Sequence, residues 1–323
     1  MDLFTDTGLS EVLQTQYGWA VPVMQIISLL GSAEFYLLII PAVFWCYDKE
    51  LGYRLGILTA LGGWVSDAIK LFFHLPRPYW LSSGVQILDL DKSLSFGFPS
   101  GHAQLTLTFW GMIGYWMKSV RVWLVIVFFL VLVGVSRLFL GMHFLRDISV
   151  GWIIGAGILI GFIMLEKPVT ARIRGYSDTV LIGCAFIISL VMIAITASIL
   201  TPLRDWVVPD SWVISGLSGI LTEELSSLHT ASLTSGLFFG MVLGWILIRK
   251  APGYLIPESL DQKAIRYVLG IGVLGVFWVL ASLIIPDNES VMRDLLTYVR
   301  ATLAGLWIFY GAPCLFLRIL KNS

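Results

Sequence analysis

Three short blocks of the chain hold the side chains that could do chemistry. The first is Lys70-Leu71-Phe72-Phe73-His74-Leu75-Pro76-Arg77-Pro78, the second Pro99-Ser100-Gly101-His102, and the third runs from Ser136 to Asp147 and contains Arg137 and His143. Lys70, Arg77 and Arg137 supply permanent positive charge. Pro99 followed by Ser100-Gly101 at the expected start of a helix leaves backbone N–H groups free, which makes a ready anion site. Ser100 adds a hydroxyl. With two imidazoles, His102 and His143, and one carboxylate, Asp147, the set suits a tetrahedral oxyanion, phosphate above all. His143 and Asp147 are four apart, so on a helix both would lie on one face. A carboxylate beside an imidazole fixes its tautomer and favours the imidazolium once it forms.

All three blocks lie at the ends of apolar runs, and composition explains why. The chain of 323 residues is 57% hydrophobic and 13% charged, with a mean hydropathy of +0.86 and no net charge. Soluble domains run to roughly 45–50% apolar and about 25% charged residues. The reading is an all-α, polytopic membrane helix bundle. Neutral net charge without a basic tract implies no nucleic-acid partner. Cys46, Cys184 and Cys314 are odd in number, far apart and inside apolar runs, so they make neither a disulfide framework nor a metal cluster.

Residues 1–18 carry Asp2, Asp6 and Glu11 and no basic residue, the reverse of a secretory n-region, and read as an interfacial helix. Nine apolar stretches follow, each near the ~20 residues a bilayer core requires. They are Trp19–Tyr47, Leu51–Phe73, Gly101–Met117, Val122–Met142, Ile148–Leu165, Thr179–Leu200, Ala231–Ile248, Ala264–Ile285 and Leu295–Leu317. A kink is expected at Gly31-Ser32-Ala33-Glu34 in the first. Most of the 21 Lys and Arg fall after odd-numbered spans or at the C-terminus, including Arg172, Arg174, Arg249 and Lys250. The positive-inside rule makes that side cytoplasmic. The N-terminus and the loop from Phe73 to Ser100 then face each other on the outside. The outer connections after the sixth and eighth spans are acidic, with Asp205, Asp210, Glu223, Glu224, Asp287, Asn288 and Glu289, and Trp206 and Trp212 read as interfacial anchors.

Lys70-x6-Arg77-Pro78, Pro99-Ser100-Gly101-His102 and Ser136-Arg137-x5-His143-x3-Asp147 together resemble, without substitution, the three-block signature of the type 2 phosphatidic acid phosphatase family, which vanadium haloperoxidases share. The resemblance implies a six-helix phosphatase core over residues 19–166 and about three further transmembrane helices in an extension, 167–323. It implies a phosphoric monoester hydrolase in which His143 attacks phosphorus, Asp147 orients it, and His102 protonates the leaving oxygen and then activates water. Lys70, Arg77, Ser100, Gly101 and Arg137 would bind phosphate, with no metal and no cofactor. The residues alone leave the order of the two histidines open. The implied substrate is a membrane lipid phosphate, reached at the extracytoplasmic face.

The layout is also similar to glucose-6-phosphatase, as is Arg77-Pro78-Tyr79-Trp80, and sphingosine-phosphate phosphatases likewise carry helices after the core. A soluble sugar phosphate and undecaprenyl diphosphate are therefore the alternative substrates. A transporter or receptor with a phosphate pocket is the non-enzyme alternative, and an intact nucleophile with its acid argues against it. The sequence does not bear on oligomeric state.

Lys70 and Arg77 taken alone would be snorkelling anchors. Arg146 reads as a partner of Asp147 or of a headgroup, His74 as a loop histidine and His229 as interfacial. Asp67, one turn before Lys70, reads as its ion partner or a supporting group. Glu34, mid-span, is either functional or hydrated by the neighbouring break.

Overall fold

The computed structural model describes residues 6–90, 95–203, 206–209, 211–212, 227–250, 256, 259–286 and 290–319. Among them every regular element is helical. Asp205, Asp210, Glu223, Glu224, Asp287, Asn288 and Glu289 lie outside the described residues.

The helices are α1 Gly8–Gln16, α2 Val21–Leu29, α3 Ala33–Cys46, α4 Lys49–Phe73, α5 Pro78–Leu81, α6 Gly101–Met117, α7 Val120–Phe139, α8 Leu145–Ile173, α9 Asp178–Leu200, α10 His229–Ile248, α11 Leu260–Ser282 and α12 Val291–Leu306, followed by a π-helical turn, Trp307–Gly311, and α13 Ala312–Ile319. Seven segments are long and apolar enough to cross a membrane, or eight if α2 and α3 form one bent span. Each of the nine expected spans contains helix, but α6, at 17 residues, is not among those seven or eight. This is an all-α polytopic bundle.

The local chemistry of the chain explains where the helices begin and stop. Ser100 caps α6 by accepting a hydrogen bond from the Ala103 N–H at 3.4 Å, and Lys118 ends it in the left-handed conformation. Asp48, Ser259 and Ser290 cap α4, α11 and α12 in the same way. The expected break falls between α2 and α3, where the axis bends by 47°. A side chain at Gly31 would meet Val133 at 2.7 Å and Thr106 at 3.0 Å, so only glycine lets the chain pass. Ser32 accepts from the Phe35 N–H and restarts the helix. Glu34 is then exposed in the first turn of α3, where a carboxylate favours the helix dipole. It is not a buried mid-span acid.

The chain divides into two compact units. Met1–Tyr36, Val65–Gly161 and Thr196–Ser227 form one, and Leu37–Trp64, Phe162–Ile195 and Leu228–Ser323 the other. In the second unit α10 packs on α12 through a stripe of small residues. A β-carbon at Gly236 or Gly240 would overlap the Tyr298 or Thr302 carbonyl, so the backbones touch, as at small-xxx-small membrane contacts.

The first unit contains all three blocks. Here α6 packs on α7, and α8 crosses the start of α6 through Gly151 and Gly155. Their β-carbons would lie 2.7 Å from the Ser100 carbonyl and 2.6 Å from the Gln104 carbonyl. That contact brings Ser100 and His102 against the start of α8. Helix α1 closes the same end: Ser10 donates to the Leu138 carbonyl at 2.9 Å, Ser82 donates to Glu11 at 2.6 Å, and Gln14 bonds to Gln86 and to the Phe139 carbonyl. The N-terminal segment and the loop after α4 do meet.

Candidate active site

His143 stands in the turn between α7 and α8, not on a helix. Gly141 makes that turn possible, with φ at +75° and no room for a β-carbon beside Val85 and the Gln86 carbonyl. His143 is 2% exposed. Its Nδ1 lies 2.8 Å from the Gly97 carbonyl and 3.7 Å from Asp147 Oδ2. A carbonyl can only accept, so Nδ1 carries the proton and Nε2 keeps its lone pair. The hydrogen bond expected from Asp147 is made instead by backbone. Asp147 Oδ2 accepts from the Phe144 N–H at 2.9 Å, and its own carbonyl accepts from the Ser100 N–H at 2.9 Å. Burial holds the His143 imidazole well below its ordinary pKa, and Arg77, Lys70, Arg137 and His102 push it further down. The nucleophile candidate is neutral in the folded protein.

The cations come from three helix ends. Lys70, in the last turn of α4, donates to the Phe96 carbonyl at 2.6 Å. Arg77, just before α5, donates from Nε to the Ser95 carbonyl at 2.5 Å, from Nη2 to Ser95 Oγ at 2.7 Å, and from Nη1 to the Met142 carbonyl at 3.1 Å. Arg137, in the last turn of α7, is 2% exposed and bonds to Ser28 and to the Asp89 carboxylate. Ser100 and Gly101 open α6, with His102 half-buried in its first turn. A β-carbon at Gly101 would sit 3.1 Å from the Ser66 hydroxyl. All eight residues singled out in the sequence therefore lie in one unit, at one end of its helices. Three of them meet at the Ser95–Gly97 backbone, whose three successive carbonyls face Arg77, Lys70 and His143.

Several sequence readings change. Asp67 and Lys70 do act on each other electrostatically, while the Lys70 ammonium donates its hydrogen bond to the Phe96 carbonyl. Arg146 does pair with Asp147, at 3.2 Å. His74 takes a left-handed conformation, φ +37°, and packs its ring on Phe96 and Trp206. Trp206 is half-buried and Trp212 buried. They pack on Phe96 and Trp80, and Trp212 is 7% exposed. Asp89 and Ser95–Gly97 were not expected at all. Asp89 lies in a polar loop with no motif around it, and carbonyl partners have no side-chain signature.

Residues 52–171 match the PAP2 superfamily, and residues 233–322 match the PAP2 superfamily phosphatase transmembrane extension. Human sphingosine-1-phosphate phosphatase 2 is 32% identical over 139 residues, which is 41% of this chain and 34% of that protein. A dihydrosphingosine 1-phosphate phosphatase of Schizosaccharomyces pombe is 29% identical over 143 residues, again 41% and 34%. Bovine glucose-6-phosphatase 3 is 26% identical over 302 residues, 83% of each chain. The match thus spans about a third of the sphingosine-phosphate enzymes and most of the glucose-6-phosphatase. No solved structure matches. With the phosphate-type blocks inside the matched segment and the extension behind it, the chain belongs to the PAP2 superfamily.

Proposed function

We propose that the protein is an integral membrane phosphatase that hydrolyses a lipid phosphate monoester through a phosphohistidine on His143. The observation that carries this reading is the placement of His143: 2% exposed, with Nδ1 tied to the Gly97 carbonyl at 2.8 Å and Nε2 left as the nucleophile, in the unit that also holds Lys70, Arg77 and Arg137.

In the first step the Nε2 lone pair forms a bond to phosphorus and the ester P–O bond breaks. The leaving alkoxide takes a proton from His102, which enters the step as the imidazolium beside the substrate's negative charge and leaves it neutral. In the second step His102 takes a proton from water, the resulting hydroxide attacks phosphorus, and the N–P bond breaks to release orthophosphate and restore His143. Lys70, Arg77, Arg137 and the N–H groups opening α6 hold the non-bridging oxygens as charge moves among them. Asp147, 3.7 Å from Nδ1, offsets the positive charge that the ring acquires in the phosphohistidine. The fixed cations do the work for which other phosphatases use a metal.

The distribution of Lys and Arg supports a topology with the site and the N-terminus outside and the C-terminus in the cytoplasm. A headgroup can then enter from the outer leaflet while its tail stays in the bilayer. Residues 19–166 form the phosphatase core in this reading and 167–323 its extension. The kinship with sphingosine-phosphate phosphatases supports a lipid substrate. The long alignment with glucose-6-phosphatase 3 favours a soluble sugar phosphate as the second reading.

Purified protein in nanodiscs, assayed for phosphate release, separates the two. The panel is sphingosine 1-phosphate, phosphatidate, undecaprenyl diphosphate and glucose 6-phosphate. Release from a lipid monoester is the expected result. Release from glucose 6-phosphate alone overturns the lipid reading, and release from none overturns the phosphatase.

A further inference from the structure

The Ser95–Gly97 backbone orients three site residues, yet it belongs to a loop with no regular structure of its own. Something must hold it. Gly97 is pinned on one side, its N–H donating to the Leu75 carbonyl at 2.8 Å. On the other side stands the Phe96 ring, 2% exposed, inside a closed ring of four aromatics. Phe96 meets Trp206 at 5.6 Å, Trp206 meets Trp212 at 5.7 Å, Trp212 meets Trp80 at 5.0 Å, and Trp80 meets Phe96 at 6.1 Å. Three of the four contacts are tilted or edge-on by 55° to 78°, as aromatic pairs prefer. His74, four residues beyond Lys70, packs on both Phe96 and Trp206.

The members come from three parts of the chain. Trp80 is on α5, which Arg77 precedes, and Phe96 is in the orienting loop. Trp206 and Trp212 follow α9, beyond the segment that matches the PAP2 superfamily and before the segment that matches its extension. Leu203 and Val208, 7% and 3% exposed, bury the same stretch.

We propose that Trp206 and Trp212 are positioning residues of the phosphatase site. They clamp Phe96 against Trp80 and hold the Ser95–Gly97 carbonyls in register with Arg77, Lys70 and His143. This rests on the reading of that site as a phosphatase. The clamp gives the connection after α9 a role in the reaction although it touches no reacting atom.

The test uses the full-length protein in nanodiscs, with phosphate release and vanadate inhibition as readouts and melting temperature as the folding control. Trp206→Ala and Trp212→Ala are expected to lower kcat by about 10- to 100-fold, the usual cost of misplacing reacting groups by about an ångström, and to weaken vanadate inhibition alongside. Phe96→Ala combined with Trp206→Ala is expected to lose no more than Phe96→Ala alone, because one acts through the other. Trp206→Phe and Trp206→Leu cover the case in which alanine unfolds the protein. Phenylalanine keeps a ring and restores turnover, while leucine keeps only bulk and does not. Equal activity of those two variants overturns the clamp, as do additive losses in the double variant or alanine variants within about twofold of wild type. Wild-type release of phosphate that vanadate stops is the control: its absence overturns the phosphatase reading and the clamp with it, whereas its presence beside unchanged variants overturns the clamp alone.

Discussion

At the scale of single residues, His143 carries the greatest chemical load in the proposed reaction. His143→Ala should fold and show no phosphate release, whereas near-normal turnover would remove the nucleophile assignment. Its depressed pKa also has a sign that can be measured. An ordinary histidine protonates near about 6.5. Because the folded ring resists its proton, the proposed nucleophile stays available as pH falls through that value, and the acid limb that His143 sets in kcat/KM lies lower. Stability runs the other way. Below about pH 6.5 the unfolded chain binds a proton that the folded protein does not, so the stability His143 contributes is present above that pH and lost as pH falls toward the folded pKa. Melting temperature from about pH 7 to about pH 5 should therefore fall more steeply for wild type than for His143→Gln, which cannot titrate. Arg137 supplies a second case. It is buried with Asp89, and removing one partner of such a pair costs about 3–5 kcal/mol, because the other charge is left uncompensated. Asp89→Asn should melt lower than wild type and gain more from vanadate, whose oxygens replace the lost carboxylate. An equal vanadate shift in both proteins would show that Arg137 does not meet the oxyanion.

Among the elements, the contact of α8 with the start of α6 matters most for the site. Gly151 and Gly155 let the Ser100 and Gln104 carbonyls lie against the α8 backbone. Gly155→Ala inserts a methyl where the nearest atom is main chain, which cannot rotate away, and overpacking of this kind costs about 1–3 kcal/mol. A drop in melting temperature together with a rise in KM for the phosphate substrate is expected, since Ser100 and His102 move with α6. A drop in stability with KM unchanged would mean that α6 tilts without carrying its first turn. The elements were legible before the structure where apolar length alone decides them, and the helix ends were legible where Pro99-Ser100-Gly101 or Gly31-Ser32 break the pattern. The turn holding His143 was not. Arg137 to Asp147 reads as helical spacing, yet Gly141 enters the left-handed region and Asp147 caps the next helix at the Phe144 N–H, so the ring swings to Gly97. Long-range partners such as Asp89 and Trp206 were hidden for a different reason. Their loops have no periodicity, and what selects them is the shape of the folded unit.

For the whole molecule, the bilayer decides which side meets the substrate. The three blocks and the N-terminal helix form one end of the first unit, and in the proposed topology, which rests on the charge bias along the chain, that end is outside. The bias is a property of the whole sequence, because moving any one of its 21 Lys and Arg would leave it standing. Ser83, exposed in the loop after α5, and Ser177, exposed between α8 and α9, are positions to test it. In a background with Cys46, Cys184 and Cys314 replaced by alanine, Ser83→Cys should react with a membrane-impermeant maleimide on intact cells. Ser177→Cys should react only after permeabilisation. Retained phosphate release from both variants shows that the labelled protein is native. The reverse labelling pattern would place the site in the cytoplasm and require the headgroup to come from the inner leaflet. Labelling of both positions on intact cells would mean that residues 84–176 cross the membrane an even number of times, and one of α6, α7 and α8 would then have to lie in the interface.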